Sequence, residues 1–189
     1  MSQVSTSGFQ KGMFILFRGE IHQIVTFQHV NPGKGSAFVR TKLRNLKTAN
    51  SIEFTYKSGE QAEQVPVFVK ELQYLYKDGS NFVFMDNSSY EQISLSESLV
   101  GDFGKYLKEV EIYQVYMHED KGLGIRAPKK VKLKVTEADE AVKGNTVSGA
   151  KKIVLLETGL KIAVPLFIKT GDIVSVDPES GQYVERVNS

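Results

Sequence analysis

Cysteine and tryptophan are both missing from the 189 residues. Without cysteine there is no disulfide framework, no thiol nucleophile and no Cys-based zinc or iron–sulfur site. A reducing compartment fits that absence. Histidine is scarce: His22, His29 and His118 stand alone, in no metal-ligand spacing. His22 and His29 are seven apart, so on one continuous strand they should point to opposite faces. No nucleophile–base pair is evident, which argues against an enzyme, and no metal or cofactor is expected. No apolar run approaches the roughly 20 residues of a spanning helix; Met13–Phe17 is only strand length. The first eight residues lack a basic segment followed by an apolar core, so no export signal is read. The expectation is a cytoplasmic protein without membrane contact.

Composition is otherwise that of a folded globular protein, 41% apolar and 24% charged. The net charge of +2 hides an asymmetry. Residues 1–64 carry +4, residues 65–126 carry −4 and residues 127–189 carry +2. Between positions 10 and 48 only Glu20 opposes Lys11, Arg18, Lys34, Arg40, Lys42, Arg44 and Lys47. Charge segregated in this way suggests segregated partners, with selected surfaces laid on nucleic acid. A merely solvated surface fits the same numbers.

Short alternating runs rich in Phe, Ile, Val and Thr recur at 13–17, 21–28, 36–44, 52–57, 67–76, 81–86 and 90–94, and again at 130–136, 152–156, 160–168, 172–176 and 182–187. Polar turns separate them, as in small barrels or sandwiches. One helix is predicted from Ser94 or Ser96 onward, because Leu95, Leu99, Phe103 and Leu107 are spaced by four; Gly101 and Gly104 weaken it. Val65-Pro66 and Ala127-Pro128 mark boundaries, since proline suits neither helix interiors nor central strands. The predicted architecture is all-β, with three small barrels at 1–64, 65–126 and 127–189, of the SH3-like or oligonucleotide-binding (OB) type. The second and third have similar length and strand content, which suggests a duplicated barrel.

Asn31-Pro32-Gly33-Lys34-Gly35 is the strongest local feature. Pro32 followed by Gly33 predicts a type II turn with positive φ at Gly33. The result should be a hairpin tip bearing one long cation, Lys34, suited to phosphates or to acylation. A solvated turn that happens to hold Lys fits too. A nucleotide-triphosphate loop does not: Gln28 stands where its first Gly belongs, Gly35 follows the Lys, and strands flank both sides. Gly122-Leu123-Gly124 fits a loose dinucleotide fingerprint, but Pro128 and an alternating run follow instead of a helix. A hairpin turn is expected there.

Gln28-His29-Val30-Asn31-Pro32-Gly33-Lys34-Gly35 with Ala37-Phe38-Val39-Arg40 resembles the lysine-bearing hairpin of bacterial elongation factor P. Tyr74–Gly79, Phe84-Met85-Asp86 and Tyr90-Glu91-Gln92 resemble that family's middle domain. Thr158-Gly159, Val164–Ile168, Gly171-Asp172 and Ser180–Arg186 resemble its C-terminal domain. The matches are collinear over nearly the whole chain. The resemblance implies an SH3-like (KOW-type) domain followed by two OB-fold domains in an elongated, tRNA-like shape. It implies a monomeric, cytoplasmic translation factor whose partners are the ribosome, with its rRNA and ribosomal proteins, and peptidyl-tRNA. Such a factor promotes peptide-bond formation where consecutive prolines stall the ribosome. Lys34 would be the functional lysine, extended in many members by a modifying enzyme and framed by Pro32, Gly33 and Gly35.

The resemblance places an mRNA exit-site codon contact at Gly144, Asn145 and Thr146, and RNA contacts at Tyr183 and Arg186. Asn145 departs from the family's more frequent Asp. Asn31 and Pro178-Glu179 depart from its more basic patterns. Arg40, Lys42 and Arg44, each two apart, can line one strand face and steady an RNA backbone. Two rivals stand beside this reading. One is a general single-strand RNA-binding OB-fold protein using Phe82, Phe84, Tyr90, Tyr106, Tyr113 and Tyr116 as stacking platforms. The other is a carrier module with a modified lysine.

Overall fold

A computed structural model describes residues 2–138 and 151–187. Among them the strands form three antiparallel sheets. The first contains β1 (Ser2–Ser5), β2 (Phe14–Phe17), β3 (Glu20–Val30), β4 (Phe38–Asn45), β5 (Ser51–Lys57) and β6 (Gln61–Gln64), in the order β1-β6-β2-β3-β4-β5. β1 and β6 pair with each other from Ser2↔Gln64 to Ser5↔Gln61. Neither was predicted, because Ser-Gln-Val-Ser and Gln-Ala-Glu-Gln carry almost no apolar alternation.

The second sheet contains β7 (Phe68–Asp78), β8 (Asn81–Met85), β9 (Gln92–Ser96), β10 (Ile112–His118) and β11 (Lys121–Ile125), ordered β11-β10-β7-β8-β9. The third contains β12 (Val131–Ala138), β13 (Lys151–Leu156), β14 (Lys161–Pro165), β15 (Ile173–Asp177) and β16 (Gln182–Val187), ordered β14-β13-β12-β15-β16. Numbered within each unit, both sheets read 5-4-1-2-3, so the duplication suspected from strand content is a duplication of topology. In each, the third and fifth strands lie against one another and bend the sheet toward closure, as OB-folds do.

The predicted helix is largely absent. One α-turn, α1 (Glu97–Val100), leads into a 3-10 segment at Gly101–Tyr106. Gly101, at φ 59° and ψ −148°, ends the α-turn. Gly104 then passes close over the buried Phe82 ring; a Cβ there would lie 2.7 Å from Phe82 Cζ. Leu95 on β9, Phe103 in the 3-10 segment and Leu107 just after it are still buried, so the spacing of four marked burial and not a helix.

Gly122 and Gly124 lie in β11, not in the hairpin turn. Tyr116 pairs with Gly124 and Met117 with Gly122, leaving Leu123 as the extra residue of a bulge. The turn itself is Glu119-Asp120. Gly122 is glycine for a packing reason, since its Cβ would run into Leu95 Cδ2.

Buried apolar side chains of the second and third sheets form one connected cluster, including Leu72, Phe84, Leu95, Val115, Leu133, Val154 and Val176. The first sheet packs around Ile15, Ile24, Val39, Leu43 and Tyr56 separately. Phe14 meets Tyr116 edge to face at 5.4 Å, joining the first sheet to the second. Lys108 reaches Glu157 at 3.2 Å, joining the second to the third.

Candidate nucleic-acid interface

β3 and β4 form a long two-stranded arm, paired from His22↔Asn45 out to Val30↔Phe38. The register shifts between Ile24 and Thr26, making Val25 the extra residue of a bulge. The bulge sorts the arm into two faces. His22/Asn45, Ile24/Leu43, Phe27/Thr41 and His29/Val39 share the inner side, where Ile24, Val39, Thr41 and Leu43 are fully buried. His22 and His29 therefore fall on the same face, contrary to the odd-spacing expectation, because the extra residue flips the parity.

His22 is held at the arm's base. Its Nδ1 lies 3.0 Å from the Glu20 carbonyl and its Nε2 lies 3.4 Å from Asn45 Nδ2. Asn45 also donates to Glu20 Oε2 at 2.6 Å and accepts from the N–H groups of Lys47 and Thr48. This histidine is a structural member of a hydrogen-bonded corner.

The outer side carries Gln28/Arg40, Thr26/Lys42 and Gln23/Arg44, continued onto β5 by Thr55, Glu53 and Ser51. Arg40, Lys42 and Arg44 are all exposed. Among the described residues none of the three forms an ion pair. The two-residue spacing does put them on one face, since β4 runs without a bulge. Arg40 lies over the Phe38 ring, 5.9 Å from its centre, which partly orders its guanidinium.

Seven residues, Asn31–Ala37, close the arm, and Ser58 N–H donates to the Ala37 carbonyl at 3.0 Å to brace its base. Gly33 does not take a positive φ; Gly35 does, at +117°. The type II turn predicted over Asn31–Lys34 is therefore not formed. The loop is too wide for a four-residue reversal, and it bends through Gly33-Lys34-Gly35 with its unusual backbone one step beyond the lysine. Gly33, Lys34 and Gly35 are exposed, Pro32 is half-buried, and Lys34 makes no ion pair among the described residues.

The inner end of the basic face opens on a cleft of about 730 Å³ where all three sheets meet. Arg44, Lys47, Arg126 and Lys129 line it, opposed by Asp102, Asp177 and Glu179. Burial pushes the Tyr116 hydroxyl's pKa up in this cleft, while the nearby Arg126 and Arg44 pull it down more weakly. Arg126 and Lys129 were not among the residues singled out from the sequence. Their clue was the pair of cations bracketing Ala127-Pro128.

Tyr183 and Arg186 lie on β16. A bulge at Val184 pairs them with Val176 and Val174, so they share a face despite their three-residue spacing. Tyr183 is half-buried against the shared core. Arg186 stands 3.9 Å from Asp172 and over the Phe167 ring at 5.8 Å. Gly144, Asn145 and Thr146 lie outside the described residues.

Three family models cover the chain in order: the elongation factor P KOW-like domain at residues 5–62, the elongation factor P OB domain at 67–125, and the elongation factor P C-terminal model at 131–186. The chain belongs to the elongation factor P family. Elongation factor P of Moorella thermoacetica is 45% identical over 183 residues, covering 97% of this chain and 99% of that one. That of Coprothermobacter proteolyticus is 44% identical over 184 residues, with 97% and 99% covered. That of Rhodococcus erythropolis is 44% identical over 185 residues, with 98% and 99% covered. Membership of this family makes the chain a translation elongation factor. Among solved structures, a eukaryotic translation initiation factor 5A from Methanococcus jannaschii superposes with a TM-score of 0.51 at 21% identity, covering 66% of this chain and 91% of that one. At that identity the likeness concerns the fold. Among the described residues no helix is long and apolar enough to cross a membrane.

Proposed function

We propose that this elongation factor P family member binds the ribosome beside peptidyl-tRNA and uses the Lys34 ammonium to steady the tRNA's CCA end. Peptide-bond formation then proceeds where consecutive prolines stall it. One observation carries the reading: an exposed lysine, without an ion-pair partner among the described residues, caps an arm whose outer face bears three more unpaired cations. Arg40, Lys42 and Arg44 are spaced along a strand at about 3.4 Å per residue, a geometry that can follow a sugar–phosphate backbone and fix register without reading sequence. The chemistry belongs to the ribosome and the tRNA; the factor makes and breaks no bond. Holding a reactive end in its productive orientation lowers the entropic part of the barrier, and a small misplacement costs about a hundredfold in rate. A modification of Lys34 would lengthen the arm or add donors. The reading carries with it three domains cut after Gln64 and Arg126, a cytoplasmic site of action and a monomeric factor.

The rival in which OB barrels bind free single strands depends on exposed aromatic platforms. Phe82, Phe84 and Tyr106 are buried, and Tyr113 and Tyr116 are half-buried. Of the six candidates only Tyr90 is open to solvent, which favours the arm over the barrels as the working surface. The test is Lys34→Ala in a strain that depends on this factor to translate a triple-proline reporter. Reporter output falls to that of the factor-less strain, while the thermal melt is unchanged because Lys34 holds nothing in place. Full output from the variant refutes the proposal. Peptide mass spectrometry across residues 19–40 of the native protein reads the modification state.

A further inference from the structure

The acidic middle of the chain is left unexplained by a cationic arm. Three of its ten acids stand around a depression of about 360 Å³ on the second sheet, between the start of β7, the start of β9 and the β10–β11 turn. The floor is apolar: Met117 is buried, Ile93 half-buried, and Phe68 lies 50% exposed. Glu91, Glu119 and Asp120 form the rim, and none of them makes an ion pair among the described residues. Lys70, the one cation among the described residues that line the depression, is already taken up by Asp86 at 2.6 Å. Asp86 also accepts from Ser88 N–H at 2.7 Å and, through its carbonyl, from Tyr90 N–H at 2.7 Å. That turn holds Tyr90 at φ 60° and 74% exposed, next to rim residue Glu91.

We propose that this depression docks a protein segment carrying a Lys or Arg beside an aliphatic side chain. The inference rests on the reading that the factor works on the ribosome, and adds to its RNA-facing arm a contact of opposite sign. Three unpaired carboxylates repel a nucleic-acid backbone. The apolar floor beside the carboxylates suits an organic cation, with a stem to cover Phe68 and Ile93 and a positive head for the rim. A long cationic side chain fits both features: its methylene stem lies on Phe68 and Ile93, its head reaches the rim, and the exposed rings of Phe68 and Tyr90 offer cation–π faces.

The test uses the full-length protein and purified ribosomes. Charge reversal at the exposed turn, Glu119→Lys with Asp120→Lys, separates the outcomes by sign. Docking on a basic protein segment weakens ribosome binding about tenfold, since like charges now face each other. Unchanged binding, as for a solvated face, or tighter binding, as for a face on RNA, overturns the proposal. Glu91→Lys, on the opposite rim, gives the same weakening and covers the case in which the double variant folds poorly. A benzophenone amino acid at Gln92 reports the partner class directly: adducts on a ribosomal protein's Lys- or Arg-bearing segment support the docking, and adducts only on rRNA refute it. Failure of the parent protein to bind ribosomes overturns the ribosomal reading and this one together. Intact parent binding with an indifferent variant overturns this one alone.

Discussion

Gly122→Ala tests the packing of the second sheet in one methyl group. The added Cβ would collide with Leu95 Cδ2 and crowd Ile93 Cγ2 and Leu95 Cγ at 3.4 Å. Leu95 has no exposed surface, so it has no open side to move into. Forcing a methyl into a filled core costs about 1–3 kcal/mol. For a chain of this size each kcal/mol lowers Tm by roughly 2–4 °C, so the variant melts about 2–12 °C below the parent. Leu95→Val removes the colliding carbon and identifies the cause. On its own it costs on the order of 1 kcal/mol for the lost methylene. In that background Gly122→Ala becomes nearly neutral, giving a coupling of at least ~1 kcal/mol in a double-mutant cycle. Differential scanning calorimetry of the four proteins reads the cycle. If Gly122→Ala costs the same in both backgrounds, Leu95 is not what excludes a side chain at position 122.

Four further expectations can be checked independently. Gly35→Ala adds no clash, since its Cβ would sit 3.7 Å from Pro32 Cγ, but φ +117° is strained for alanine by about 1–3 kcal/mol. The loop relaxes by re-aiming Lys34, so triple-proline reporter output drops while Tm holds; an unaffected reporter counts against a pre-set lysine. Lys42→Gln weakens ribosome binding most at low salt and makes the log–log salt slope shallower by about one phosphate's worth; a parental slope excludes a phosphate contact. Val110 occupies the third position of the turn closed by Glu111 N–H to the Lys108 carbonyl, at φ 70°. There Val110→Gly relieves more strain than the roughly 0.5–1 kcal/mol of added chain entropy and raises Tm, whereas a lower Tm would refute the strain. Lys70 at 2.6 Å, then the Ser88 N–H, hold the Asp86 carboxyl's pKa down to about 2. A depressed carboxylate stabilises the fold above its unfolded value near 4 and loses that contribution as pH falls from about 4 toward 2. The urea midpoint of the parent therefore declines across that window more steeply than that of Asp86→Asn, and equal declines would show the pair to be idle.

What could be read from the residues alone divides by range. The β-strand pattern, the barrel count and the lysine tip were legible because each rests on local chemistry: two-residue alternation, Pro and Gly punctuation, and a cation between glycines. β1 and β6 were illegible because their ladders are long-range, β1 on β6 and β6 on β2 through Ile15↔Gln64 and Leu16↔Glu63, while neither segment carries apolar alternation of its own. The reading of Leu95, Leu99, Phe103 and Leu107 found three buried residues and one half-buried one but the wrong backbone: Leu95 lies on a strand, and Gly104 in the 3-10 segment yields its space to Phe82 of β8. The type II turn failed for a related reason: seven loop residues spread the reversal, so the positive φ went to Gly35 instead of Gly33.

Bulges account for the remaining errors, and they bear on function. Each inserts one residue, reverses the side-chain parity beyond it and leaves no mark in composition. At Val25 the bulge puts Phe27 and His29 on the same side as His22 and Ile24, so the inner side of β3 stays packed as far as Phe27, with His29 exposed nearer the tip. β4, unbulged, keeps Arg40, Lys42 and Arg44 outward over the same length. A regular β3 would carry Thr26 and Gln28 inward against Thr41 and Val39 and would push Phe27 and His29 out among the cations. The separation of a packed inner face from a cationic outer face thus depends on one extra residue in one strand. Deleting Val25 should damage the arm more than any single substitution along it, with Tm and ribosome binding falling together.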